Sequence, residues 1–98
     1  MDINKNAQGS VLNIALSGRL DTMTSPELEA ELKQSLGGVT ELVFDFSGLE
    51  YLSSAGLRIL LSAQKQMNKQ GKMVIHNVNE IIMEVFEVTG FVDILTIE

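Results

Sequence analysis

The stretch from Leu42 to Leu61, LVFDFSGLEYLSSAGLRILL, decides the fold of this chain. Its first residues form an apolar run that predicts a strand, and its last residues repeat leucine at helical spacing. Two serines, Ser53 and Ser54, lie at the junction, and we expect the helix to begin at about Ser54 or Ala55. The first N–H groups of a helix lack intrahelical partners and carry the positive end of its dipole, so they favour a phosphate. Capping the helix is the ordinary role of such a serine.

The residues before this stretch predict a hairpin and one helix. Gly9 and Ser10 form a turn between a short leading strand and VLNIALS, which we expect Gly18 to end. Alternate residues of VLNIALS share one apolar face: Leu12, Ile14 and Leu16. Thr24 and Glu27 have capping-box spacing at the start of the first helix. The buried stripe of that helix repeats every four residues: Leu28, Leu32 and Leu36.

The stretch itself and the residues after it predict two more strand–helix units. The strand Glu41–Phe46 has consecutive apolar residues, as in a central strand covered on both faces. The second helix extends to Gln70, with these residues facing inward: Leu57, Leu60, Leu61 and Ala63. A strand at Met73–His76 precedes a third helix, which Asn79 caps and Gly90 ends. The residues of this helix that we expect to face inward are Ile82, Val85 and Phe86. A last short strand is expected at Leu95–Ile97.

Strands that alternate with helices predict an α/β fold, in which right-handed crossovers make the sheet mostly parallel. The leading hairpin adds one antiparallel strand, so we expect a mixed sheet. A length of 98 residues allows one domain, which we place at residues 1–98.

Composition excludes several classes of partner and location. The net charge of −6 argues against nucleic acid and anionic membrane surfaces, which both require clustered Lys and Arg. Cysteine is absent, which excludes disulfides and thiolate chemistry. No apolar run approaches the ~18 residues that span a bilayer, and the first ten residues contain no apolar core of a secretory signal. We therefore expect a cytoplasmic protein without direct membrane insertion.

Catalytic and cofactor motifs are also absent. His76 is the only histidine, so no histidine pair can bind a metal ion. Ser54 lacks the G-x-S-x-G setting of hydrolases, and no glycine-rich phosphate loop is present. The acids that merit attention are Asp21 and Asp45, because the carboxyl ends of parallel strands share one rim with the start of the second helix. Capping a loop or a helix, without any role in a site, is an equally good interpretation of both aspartates. We therefore expect that this protein is not an enzyme and binds no cofactor.

Three stretches carry a family resemblance: GRLDTMTSPEL, LVFDFSGLEYLSSAGLRIL and GKMVIHNVNEIIMEVFEVTGF. The chain resembles the STAS-domain anti-sigma factor antagonists over essentially its whole length, and the resemblance implies the STAS fold. In that family a partner kinase phosphorylates the serine two residues before a Gly-Leu pair. Gly56 is the glycine of that pair here, so Ser54 matches, with Ser53 as the alternative. The commonest family pattern has Asp at the position of Ser53 and Ser or Thr at that of Ala55.

The resemblance also implies a function and its partners. The unphosphorylated form binds an anti-sigma factor that is a serine kinase, and so releases the sigma factor. Phosphorylation dissociates the complex, and a serine phosphatase reverses it. We expect the docking surface to surround the serine and to include Asp21, Ser53, Ala55, Gly56, Arg58, Ser62 and Lys65. Three alternatives stay open: a STAS subunit of a membrane transporter complex, a partner-switching regulator with a non-transcriptional output, and a small hydrolase that uses Ser54.

Overall fold

One four-stranded sheet and three α-helices form this protein, whose computed structural model describes Met1–Glu98. The strands lie in the order β1-β2-β3-β4. β1 is antiparallel to β2, whereas β2, β3 and β4 are mutually parallel, so the predicted mixed, mostly parallel α/β fold is confirmed. The elements are β1 Asp2–Gln8, β2 Val11–Leu20, α1 Ser25–Ser35, β3 Glu41–Leu52, α2 Ser54–Gln70, β4 Lys72–His76, α3 Glu80–Thr89 and a 3₁₀ turn at Phe91–Asp93.

The helices cover one face of the sheet. A single cluster of 22 buried hydrophobic residues combines alternate residues of the strands with residues from all three helices. In the first half of β3 the buried residues are Leu42, Phe44 and Phe46, as the period of two along a strand requires. Val43 points to the opposite face and is only half-buried. The prediction that this strand is covered on both faces was therefore wrong, because every helix contributes to the same side.

The central strands β2 and β3 are longer than predicted, and each continues past a glycine. β2 continues through Gly18 to Leu20, and β3 continues to Leu52, beyond its predicted end at Phe46. Shifts in the pairing register after Ala15 and after Gly18 let both strands continue, as at a β-bulge. Gly48 allows the close approach, because a Cβ atom there would lie 2.8 Å from the Cβ of Ser17. At these glycines the pairing between β2 and β3 shifts in register but does not end.

The helix ends follow the prediction at α3 but not at α1. Oδ1 of Asn79 accepts a hydrogen bond from the Ile82 N–H at 2.9 Å, and Gly90 ends α3 in the left-handed conformation. Thr24 precedes α1 but makes no capping bond to it, so the predicted capping box is wrong. Its hydroxyl donates to the Arg19 carbonyl instead, at 2.7 Å.

Two smaller predictions also need correction. The expected last strand at Leu95–Ile97 is reduced to one isolated bridge between Ile97 and Ile75. Leu61 and Val85 were expected to face inward but are only half-buried, because each lies at the border of its helix's apolar stripe. None of the three helices combines the length and the apolar character that a bilayer crossing needs.

Leu60 and Leu61 form a matched pair for testing this packing. Leu60 is fully buried, so Leu60→Ala should leave a cavity and lower the free energy of unfolding by about 2–5 kcal/mol. Leu61→Ala removes the same atoms from a half-buried site and should cost clearly less. Urea denaturation of both variants measures the difference. Equal losses would contradict the orientation of α2.

Candidate functional site

The junction between β3 and α2 is built around Ser53. Its backbone is extended, and its N–H donates to the Leu20 carbonyl at 2.9 Å, which ties the junction to the end of β2. Its Oγ atom accepts from the Gly56 N–H at 3.4 Å, so Ser53 is the N-cap of α2. The side chain is half-buried. The Ser53 hydroxyl therefore has a structural role.

Ser54 is the first residue of α2 and is exposed. Its hydroxyl makes no hydrogen bond within the protein, in contrast to that of Ser53. The first turn of α2 contains no acidic residue, so no side chain offsets the positive end of the helix dipole. Of the two serines, Ser54 has the hydroxyl that is free to react, in a setting that favours a negatively charged group.

Gly56 lies beneath this surface and not on it. A Cβ atom at this position would lie 2.7 Å from Cδ1 of Leu52 and 2.8 Å from Cγ of Leu20. We predicted that Gly56 contacts a partner, but its buried position gives it a packing role instead. The absence of a side chain lets the first turn of α2 rest directly on the ends of β2 and β3.

The loop after β2 is held by Asp21. Its Oδ1 atom accepts from the backbone N–H groups of Met23 and Thr24 at 3.0 and 3.1 Å. The Thr24 N–H is the main cause that lowers the pKa of Asp21 below its usual value, and Arg19, 3.6 Å away, adds to the shift. Asp21 follows Leu20, whose carbonyl accepts the Ser53 N–H, so the loop that Asp21 holds begins next to the junction.

Asp45 also fixes the backbone around it, but it lies on the half-buried face of the sheet and away from Ser54. Its carboxylate accepts from the Asn77 side chain at 3.0 Å and from the Ser47 N–H at 2.9 Å. Both bonds favour the ionised form, so the pKa of Asp45 is lowered. His76 pairs with Asp45 across β3 and β4 and lies 3.9 Å from Glu98.

A groove between α1 and α2 opens beside the junction. From α2 it is lined by three of the predicted contact residues, Ala55, Arg58 and Ser62. Sequence reasoning missed the other wall, since helix periodicity does not say which helices are neighbours. That wall consists of Thr22, Ser25, Pro26 and Glu29, and Ile59 of α2 also lines the groove. Lys65 lies further along the exposed face of α2.

The charge of α2 is entirely basic. Arg58, Lys65 and Lys69 are its only charged residues, and none of them makes a salt bridge within the chain. Arg58 lies one turn after Ser54, which puts both residues on the same side of the helix. The start of α2 thus combines the free hydroxyl of Ser54 with unpaired positive charge.

Comparison with known proteins identifies the family. The STAS domain model matches residues 2–98. The chain belongs to the STAS domain family. It is 33% identical over 99 residues to BtrV of Bordetella bronchiseptica, whose name assigns it as an anti-sigma factor antagonist, and this match covers 99% of the chain and 85% of BtrV. It is 28% identical to the anti-sigma-B factor antagonist of Staphylococcus aureus, over 97% of the chain and 90% of that protein.

Solved structures of this STAS family share the fold. The anti-sigma factor antagonist SpoIIAA of Bacillus has been solved in an unphosphorylated form, which superposes with a TM-score of 0.86 at 18% identity over 99% of this chain and 88% of SpoIIAA. Its phosphorylated form gives a TM-score of 0.77 at 19% identity, over 99% of this chain and 91% of that one. At this level of identity the likeness is one of fold.

Acid should destabilise this protein partly through Asp21 and Asp45. Their folded pKa values are lowered, so their contribution to stability is present above about pH 4 and is lost as the pH falls through those values. The double variant Asp21→Asn/Asp45→Asn keeps oxygen acceptors but cannot titrate. Its melting temperature should therefore fall less than that of the parent between about pH 5 and pH 2.5.

Thermal melts across that range measure this difference, with Glu50→Gln as the control. Glu50 is exposed and makes no ion pair, so its substitution should leave the pH dependence of the parent protein unchanged. If the double variant follows the same curve as the parent, the two carboxylates do not stabilise their loops in ionised form.

Proposed function

We propose that this STAS domain is an anti-sigma factor antagonist that phosphorylation of Ser54 switches off. In its unphosphorylated form it binds an anti-sigma factor that is also a serine kinase, and the sigma factor is released. The kinase transfers the γ-phosphoryl group of ATP to the Ser54 hydroxyl, the complex dissociates, and a serine phosphatase removes the phosphate. The cycle takes place in the cytoplasm, and the chain itself supplies no catalytic machinery and needs no cofactor.

The observation that carries this proposal is the difference between the two adjacent serines. Ser53 uses its hydroxyl as the cap of α2, whereas the Ser54 hydroxyl is exposed and without a partner. A kinase needs a hydroxyl that can enter its active site without unfolding the substrate, and Ser54 meets that requirement. The names of the most similar relatives, which this chain matches over most of their length, support the same assignment.

Electrostatics explains how the phosphate could act without refolding the domain. A phosphoserine adds about −1.5 to −2 charges. At the first position of α2 it would meet free N–H groups, with the unpaired Arg58 one turn away. The folded state therefore tolerates the phosphate.

A partner that docks over the neutral serine does not tolerate it. Burying a dianion without a counter-charge costs several kcal/mol. A hundredfold loss of affinity needs only about 2.7 kcal/mol. Release of the partner thus follows from charge at one exposed position.

Phosphate mapping tests the acceptor directly. Incubation with the cognate kinase and ATP should place one phosphate on Ser54, as located by mass spectrometry of proteolytic fragments. Ser54→Ala should abolish incorporation. Ser53→Ala should keep it, while losing about 1 kcal/mol of stability because the cap is removed. Phosphate on Ser53 alone, or on neither serine, would refute the assignment.

Binding variants test the docking surface. Ser54→Asp should weaken kinase binding, whereas Ser54→Ala should retain it, because only the first adds charge at the interface. Arg58→Glu should also weaken binding while changing stability by less than about 0.5 kcal/mol, since its side chain is exposed. Calorimetry at fixed salt gives the affinities and thermal melts give the stabilities. Normal kinase binding by Arg58→Glu would move the docking surface elsewhere and favour the transporter-subunit alternative.

A further inference from the structure

Negative charge is concentrated in the last part of the chain. Residues 77–98 contain five acidic residues and no Lys or Arg, whereas residues 1–76 contain eight acids and seven bases. Five of the six net negative charges therefore lie in this part. The five residues are all exposed: Glu80, Glu84, Glu87, Asp93 and Glu98. Only Glu98 has a possible ion-pair partner, His76 at 3.9 Å, so the three glutamates of α3 are unpaired.

Exposed apolar side chains occupy the same region. Ile81 and Val88 on α3 are 66% and 80% exposed, and the half-buried Val85 lies between them. These three residues follow the spacing of four and three that puts them on one side of a helix. They line a shallow hollow together with Glu84 and Thr89, and we call these five residues the outer α3 surface. The chain that continues from α3 adds exposed Val92 and Ile94.

The fold does not need the two exposed apolar residues of this surface, Ile81 and Val88. The opposite side of α3 holds the helix in place through Ile82 and Phe86, which are fully buried, and the Phe86 ring lies 6.5 Å from that of Phe46. Ile81 and Val88 lie outside the core cluster and contribute little to its burial. Of the six large hydrophobic residues that are exposed in this protein, four lie in α3 or directly after it. Apolar groups gathered in this way are typical of an interaction site.

We propose that the outer α3 surface is a second docking surface, which binds a basic amphipathic segment of a partner protein. The apolar side of such a segment would cover Ile81, Val85 and Val88. Its Lys or Arg side chains would meet the unpaired glutamates of α3, which gives the complex complementary charge. A second copy of this chain fits less well, because the same surface would bring like charges together. An anionic lipid surface is repelled for the same reason.

The probe for this proposal is a synthetic helical peptide of about 18 residues, with leucine at spacings of three and four and lysine elsewhere. Titrated into the ¹⁵N-labelled protein, it should shift the amide signals of residues 80–89. A peptide with the same leucines and glutamate in place of lysine should leave these signals unmoved. Binding of the lysine peptide should weaken as salt is added, because the charges involved are exposed.

Matched variants assign the binding to individual groups. Ile81→Ser/Val88→Ser should raise the dissociation constant of the lysine peptide at least about tenfold, or about 1.4 kcal/mol. Met23→Ser is the control, since Met23 is 85% exposed but lies in the loop before α1, and it should change the constant less than about twofold. Glu84→Lys should weaken binding strongly, whereas Glu50→Lys, which makes the same charge change on β3, should have a much smaller effect.

The outcome does not depend on the Ser54 proposal. Ser54→Asp should bind the lysine peptide as the parent does, even where it no longer binds the kinase. Three results would overturn the second docking surface: no binding at millimolar peptide, shifts that map outside residues 80–89, or equal binding of the glutamate peptide. Concentration-dependent shifts of these residues without any peptide would also overturn it, because a second copy would then be the occupant.

Discussion

The parallel pairing of β2 with β3 is the constraint on which the site depends. Both strands continue past their glycines and end side by side at Leu20 and Leu52, and the Ser53 N–H then donates to the Leu20 carbonyl. This bond sets where α2 begins, and Gly56 lets the first turn rest on the two leucines. The buried strand ends therefore position a serine at the surface.

The two adjacent serines at the start of α2 have different roles. The first has extended backbone geometry and caps the helix through its hydroxyl, which accepts from the Gly56 N–H, while the next residue is already helical and exposed. A cap is worth about 1 kcal/mol, and it remains in place when the neighbouring hydroxyl is modified. In the proposed cycle, the protein can therefore change its surface charge at Ser54 without loosening the helix start.

Charge is distributed unevenly over the two outer helices. α2 has three unpaired basic residues and no acid, whereas α3 has three glutamates and no base. The two proposed docking surfaces therefore differ in sign, and complementary potentials would direct them to partners of different charge.

Local sequence patterns were sufficient for the order of the elements and for most of the core stripes. Alternation in VLNIALS and the leucine spacing of α1 predicted their buried faces, because these periods reflect which side of an element meets the core. The resemblance to the family register indicated the serine. The sequence also contains the acidic composition of residues 77–98, whatever the fold.

Tertiary structure decided what depends on neighbours distant in sequence. Gly18 looked like a strand end, but a register shift against β3 carries the strand onward. Gly56 looked like a surface residue, but Leu20 and Leu52 bury it. Each outcome is set by a contact between separate segments, and a local pattern cannot specify such a contact because it does not record which segments meet.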